Sequence, residues 1–438
     1  MKKWFLLPVI ILTVSCSKPD NNPEIYFNTR KALAYFSAID SICEADKGKL
    51  WGTNLAGPVV FIDRPTRRMF ANKPDNEGQL KLKEGVYQGI FSRERLIENS
   101  AVEIGGKIFA MVPLPPREDG YRIKTSAINA LFHCLQKNLG VTHERFAIRS
   151  MDDRFARIWL KLEFRALKKA IEAESPDLIS HIRDAIIFRG ARRELFPSSI
   201  KEKEENRFEI YEGLSLFTST LLCAKSQEEA KHRFQENLDI VYKFPSYSRA
   251  YGSIIGSTYT YLLYSGGYNI KPLLKSDTTD LGDIVIRYFN LRVPAIYRDV
   301  AGSLALVYDV DNIYKEEEQR MNEIRERIRR QLSKFTEKPI VTIELESPYF
   351  DFEPEDIRSL DTLGTIYNSI RIADNWGKLT VEKGGCLVSY NLKYVRLPAK
   401  NLKESKNHYY CDGWHIIVSN NWKIVKVDDN YVLRKATP

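Results

Sequence analysis

The chain has 438 residues, 43% of them hydrophobic, which is enough to bury sizeable cores and suggests two or three domains. Its formal charge is +9, with basic residues spread along the chain rather than gathered in a block, which excludes a nucleic-acid partner and leaves a weak pull toward anionic surfaces. Six cysteines, far apart and without CxxC spacing, do not indicate a disulfide framework.

Lys2 and Lys3 precede a largely apolar stretch, residues 4–14, closed by small Ser15. A charged start, an apolar core and a small residue make a secretory signal. The stretch falls short of the roughly 20 residues that a spanning helix needs. Thr13-Val14-Ser15-Cys16 resembles the bacterial lipobox. That resemblance implies loss of residues 1–15, acylation of Cys16, and a net charge of +7 once Lys2 and Lys3 are gone. Residues 16–27 then read as a tether, polar and carrying two prolines. No later segment is apolar for long enough to cross a bilayer, so the lipid is the expected membrane link. No aspartate follows Cys16, which favours the outer membrane. Five cysteines remain, an odd number, and Cys386 with Cys411 is the one pair considered.

Downstream, residues 28–44 have helical spacing through Ala32, Tyr35, Phe36, Ile39 and Ile42. Strand-like runs follow at 58–62, 86–91, 101–104 and 107–112, the last two joined by Gly105-Gly106 as in a hairpin. From about residue 122 the period becomes helical, as in Trp159, Leu162, Phe164 and Leu167, and it ends in a long charged helix over 313–335. After Lys338-Pro339 short strands are expected at 340–345, 366–372, 378–381, 386–390, 414–418, 422–427 and 431–433. The fold class is therefore α+β. A mainly helical domain spans residues 28–335, with a small sheet over about 50–120 and helices over about 121–335. A β-rich module, an antiparallel sandwich or partial barrel, fills residues 336–438. Tyr409, Tyr410, Trp414 and Trp422 in that module fit either core positions or a glycan- or peptide-binding surface.

Two helical segments carry the chemistry. Residues 126–136 place Asn129 and His133 one turn apart on a helix face. Residues 208–217 contain Glu212-Gly213-Leu214, which resembles the Asn-Glu-Gly-Phe-Ala-x-Tyr segment of gluzincin metallopeptidases. In that class the glutamate is the third zinc ligand, after a helix whose HExxH supplies two histidines and a general base. A hairpin whose outer strand can pair with substrate precedes that helix, and residues 101–112 are its counterpart. More broadly, the order Phe132-His133 with Gln136, then Trp159-Leu160-Lys161-Leu162-Glu163-Phe164-Arg165-Ala166-Leu167, then Glu212-Gly213-Leu214 with Thr218 is similar to a group of bacterial proteins of this type. The resemblance runs from about Leu50 to the C-terminal module.

Departures from the pattern carry the functional expectation. Aligned on His133, the first histidine is Asn129 and the base is Ala130; Tyr211 and Leu216 also depart. A catalytic zinc takes three protein ligands and an open position, whereas His133 and Glu212 alone survive here. Loss of the base removes on the order of 10²–10⁴ in rate. No cofactor is expected. The resemblance implies a zincin-like domain without its metal site, acting as a membrane-anchored binding or scaffold protein for a peptide or envelope polymer. The alternative is an active zinc metallopeptidase that recruits His143 or Glu163 as a replacement ligand. Tyr251 and Tyr259 lie where gluzincins often carry an oxyanion-stabilising tyrosine. Residue by residue, plainer roles stand beside these: His133 as a core histidine, Glu212 paired with Arg165 or Arg192, and both tyrosines as core side chains.

Overall fold

The computed structural model describes residues 27–141, 147–275, 279–352 and 357–436, so Cys16, the signal stretch, nearly all of the tether and His143 lie outside the described residues. Ten α-helices and three β-sheets are found among them, and the chain is of mixed α and β class with 47% helix. It divides into two compact units between Ile313 and Tyr314, inside the long helix rather than after it.

The first unit begins with α1 (Thr29–Asp46), whose N-terminus is capped by the Asn28 side chain accepting from the Lys31 amide. Six strands follow: β1 (Val59–Ile62), β2 (Arg68–Ala71), β3 (Lys81–Lys83), β4 (Val86–Ile90), β5 (Ser100–Ile104) and β6 (Lys107–Pro113). They form one sheet in the order β3-β4-β2-β1-β6-β5, with β1 and β6 parallel and the other neighbours antiparallel. β1 alternates: Val59 and Phe61 face the main helical core, while Val60 and Ile62 join a smaller core with Met69, Phe109 and Met111. The β5–β6 hairpin turns on Gly105, at φ +51, where a Cβ would sit 2.1 Å from the Asp75 carboxylate. β5 is an edge strand.

Helices make up the rest of this unit. They are α2 (Gly120–Asn138), α3 (Arg154–Glu172), α4 (Asp177–Arg193), α5 (Ser199–Cys223), α6 (Gln227–Tyr242), α7 (Tyr251–Ser265), α8 (Leu281–Tyr288) and α9 (Arg298–Ala305). Asp119, Asp153, Ser198, Ser226 and Asp280 cap the starts of α2, α3, α5, α6 and α8. α5 and α7 approach closely because Gly213 faces Gly256; a Cβ on Gly213 would stand 2.6 Å from the Gly256 Cα. No described helix is long and apolar enough to cross a membrane.

α10 (Val310–Thr336) leads into the second unit. Its first strands are β7 (Ile340–Glu344), β8 (Tyr349–Asp351), β9 (Ile357–Ser359), β10 (Thr365–Tyr367), β11 (Ile370–Asp374), β12 (Gly377–Val381) and β13 (Cys386–Val388). Then come β14 (Tyr394–Pro398), β15 (Lys403–Ser405), β16 (His408–Cys411), β17 (Trp414–Val418), β18 (Trp422–Val427) and β19 (Asn430–Lys435). Two sheets, ordered β18-β19-β7-β14-β13-β10-β9 and β15-β16-β17-β12-β11-β8, share one core around Trp376, Leu379, Val395 and Ile416. This is a sandwich, antiparallel except for the parallel β19–β7 pair. Residues 366–372, expected as one strand, are two: a turn at Asn368-Ser369 sends β10 and β11 into different sheets. Cys386 and Cys411 are both free thiols; Cys386 is buried, and the Cys411 thiol donates to the Lys400 carbonyl. The pair considered from sequence is therefore not a disulfide.

Candidate functional site

His133 and Asn129 project from α2, which buries Ile123, Ala127, Ala130, Leu131 and His133 along one broad face. Glu212 projects from α5, held against α2 by shared burial of Phe132, Leu214 and Phe217 in the main core. The His133 Nε2 and a Glu212 carboxylate oxygen come within 3.8 Å. His133 and Glu212 therefore meet although Glu212 is 79 residues beyond His133, and Asn129 lies one turn before His133 on α2.

The orientation of the imidazole follows from its neighbours. His133 is buried and stacks on Tyr211, ring centroids 4.7 Å apart. The Tyr211 carbonyl can only accept, so the Gln136 Nε2 donates to it at 3.0 Å. The Gln136 Oε1 then faces the His133 Nδ1 at 2.8 Å, which places the imidazole proton on Nδ1 and turns the Nε2 lone pair toward Glu212. Burial pushes the His133 pKa down to about 4, against the smaller pull of the Gln136 hydrogen bond. The ring is thus neutral at pH 7, and its approach to Glu212 is not an ion pair. Glu212 keeps 28% of its side chain open to solvent.

Asn129 is held from both sides. Its Oδ1 accepts from the Asn99 Nδ2 at 2.8 Å, and its Nδ2 donates to the Ser215 hydroxyl at 2.9 Å. Ser215 in turn donates to the Glu212 carbonyl at 2.8 Å. Asn99 immediately precedes the edge strand β5, so this chain of bonds links the strand to both helices. The Asn99 Oδ1 is buried with no hydrogen-bond partner among the described residues. Ala130, which the gluzincin resemblance aligns with a general base, is fully buried in the core. The chain matches no protein-family model, no curated protein and no solved structure.

Glu163, Arg192, Tyr251 and Tyr259, also marked in the sequence, lie elsewhere, in a buried polar layer. Arg189 on α4 makes a two-pronged pair with Glu209 on α5, Arg192 does the same with Glu205, and Arg193 reaches Asp280. Glu163 on α3 is fully buried; it accepts from the Tyr259 hydroxyl at 2.9 Å and stands 4.0 Å from the Arg192 Nε. It is therefore engaged here rather than beside His133. Burial raises the Glu163 pKa to about 7, Arg192 and Arg189 opposing it. Tyr251, against Phe208 and Arg192, is equally buried, and its hydroxyl has no hydrogen-bond partner among the described residues. Neither tyrosine is open to a substrate carbonyl, so an oxyanion role is not supported by their placement. Of the two arginines weighed as partners for Glu212, Arg165 donates to the Tyr308 and Asp309 carbonyls, and Arg192 holds Glu205. The contacts of Asn99 and Ser215 were not readable in sequence, because nothing local marks a polar side chain that meets a partner 30 or 86 residues away.

Proposed function

We propose that the chain is a lipid-anchored protein of the bacterial cell envelope, favouring the outer membrane. Its first unit keeps the frame of a gluzincin metallopeptidase without a catalytic zinc, and its cleft holds a peptide or envelope polymer without cleaving it. The observation that carries this reading is the meeting of His133 on α2 with Glu212 on α5 beside Asn129. An edge strand at β5, tied to the same helices through Asn99, supports a groove in which an extended chain adds to the sheet.

A catalytic zinc does not fit the donors. The Asn129 oxygen is already accepting from Asn99, and Ala130 offers no base. Among the described residues two protein ligands, His133 and Glu212, fall short of the usual three, and water on so weakly held a metal would not be acidified to a pKa of about 7. Metal analysis of the purified chain with a His133→Ala control tests the reading. The expected result is no stoichiometric zinc in either protein. One equivalent in the native chain, lost on the substitution, would favour the active peptidase instead.

A further inference from the structure

The two sheets of the C-terminal sandwich are treated differently on their outer faces. Part of the first is covered by the end of α10, where Ile328, Leu332 and Phe335 pack on Leu360, Ile366 and Leu387. The second sheet bears two rows of side chains on its outer face, each running across all six strands. One row, in register, is Asp351, Arg371, Thr380, His415, Tyr410 and Lys403. The next is Tyr349, Ala373, Lys378, Ile417, His408 and Ser405. Alternate residues of the same strands, Ile372, Leu379, Ile416 and Tyr409, fill the core, so these rows point outward.

The face is chemically distinct. Tyr349 is 72% exposed, Ile417 53% and Tyr410 38%, and the His408 ring lies 5.4 Å from that of His415 and 5.6 Å from that of Tyr410. Asp351 is the one carboxylate in the two rows, and Arg371 pairs with it at 3.6 Å. Lys378 and Lys403 have no carboxylate opposite them in register, so the two rows are cationic with rings and an isoleucine between the charges, while the exposed Glu382 stands at the Asp351–Arg371 end of the face. Five inter-strand steps of about 4.8 Å make it roughly 24 Å across.

We infer that this face binds an acidic polysaccharide. Sugar rings would stack their apolar sides on Tyr410, Tyr349 and the paired imidazoles, while their carboxylates or phosphates meet Lys378 and Lys403. An open face that crosses six strands suits an extended polymer, which can lie along it, better than a small ligand. Of the four C-terminal aromatics weighed from sequence, Tyr409 and Trp414 are core side chains, and Tyr410 is the one that belongs to this surface.

The test is affinity electrophoresis and calorimetry of the full chain with polygalacturonate as the acidic probe and dextran as the neutral one. Retention by polygalacturonate that weakens with salt is expected, with about a tenfold loss of affinity on combined Lys378→Glu and Lys403→Glu substitution. Tyr410→Ala should weaken binding without changing the salt dependence. Circular dichroism and thermal melting check that each variant is folded. The inference is overturned if the folded charge-reversed variant binds as the native chain does, if dextran is held as tightly, or if neither glycan is retained. It is also overturned if anionic phospholipid vesicles alone are captured through the same lysines.

Discussion

Glu163 stands in a layer where four carboxylates, its own with Glu205, Glu209 and Asp280, face three guanidiniums, those of Arg189, Arg192 and Arg193. With every group ionised the buried layer carries one uncompensated negative charge, and protonation of Glu163 removes it. Its pKa rises from 4.5 to about 7 on folding, so between those values the folded state holds a proton that the unfolded chain has released. Stability from this group is complete below about pH 4.5, is lost as pH rises to about 7, and is flat above that. The change amounts to on the order of 3 kcal/mol. Glu163→Gln should abolish that component, so that variant and native chain diverge most above pH 7, the variant being relatively the more stable. Denaturant unfolding across the pH range checks this; parallel curves at every pH would mean that Glu163 does not titrate between folded and unfolded states.

At the scale of elements, the close crossing of α5 and α7 sets where Glu212 stands. Gly213→Ala drives a Cβ against the Gly256 backbone, and Gly256→Ala drives one to 2.2 Å from the Glu209 carbonyl oxygen. Neither contact can be relieved by a rotamer change, so each substitution should cost about 1–3 kcal/mol and lower the melting temperature by several degrees. Unchanged melting in both would show that the helices separate freely. The same elements show what sequence can and cannot reveal. α1 was legible from the spacing of Ala32, Phe36 and Ile39, and the β5–β6 hairpin from Gly105-Gly106, whereas the Asn28 cap emerged only in the structure. β3 and β15 were not, because every residue in them is exposed and no apolar alternation marks them. The i, i+4 placement of Asn129 and His133 could be read locally. The partners that fix their orientation, Asn99, Ser215 and the Tyr211 carbonyl, depend on the packing of distant segments.

For the whole molecule, the proposed reading joins three parts: an anchor at Cys16, a helical unit with a disabled cleft, and a sandwich with an open cationic face. Cys16→Ala should move the protein from the membrane to the soluble fraction of cells with its melting profile unchanged. Continued membrane association of that variant would show that the lipid is not the attachment. The central claim of the proposed reading is that the meeting of His133 on α2 with Glu212 on α5 is a zinc site lacking one ligand, and Asn129→His measures it most directly. That substitution supplies a third donor one turn from His133 and opposite Glu212, completing the set a tetrahedral zinc requires. Equilibrium dialysis followed by elemental analysis should find one zinc per chain in the variant and none in the native protein. A folded variant that takes up no more zinc than the native chain would contradict the account.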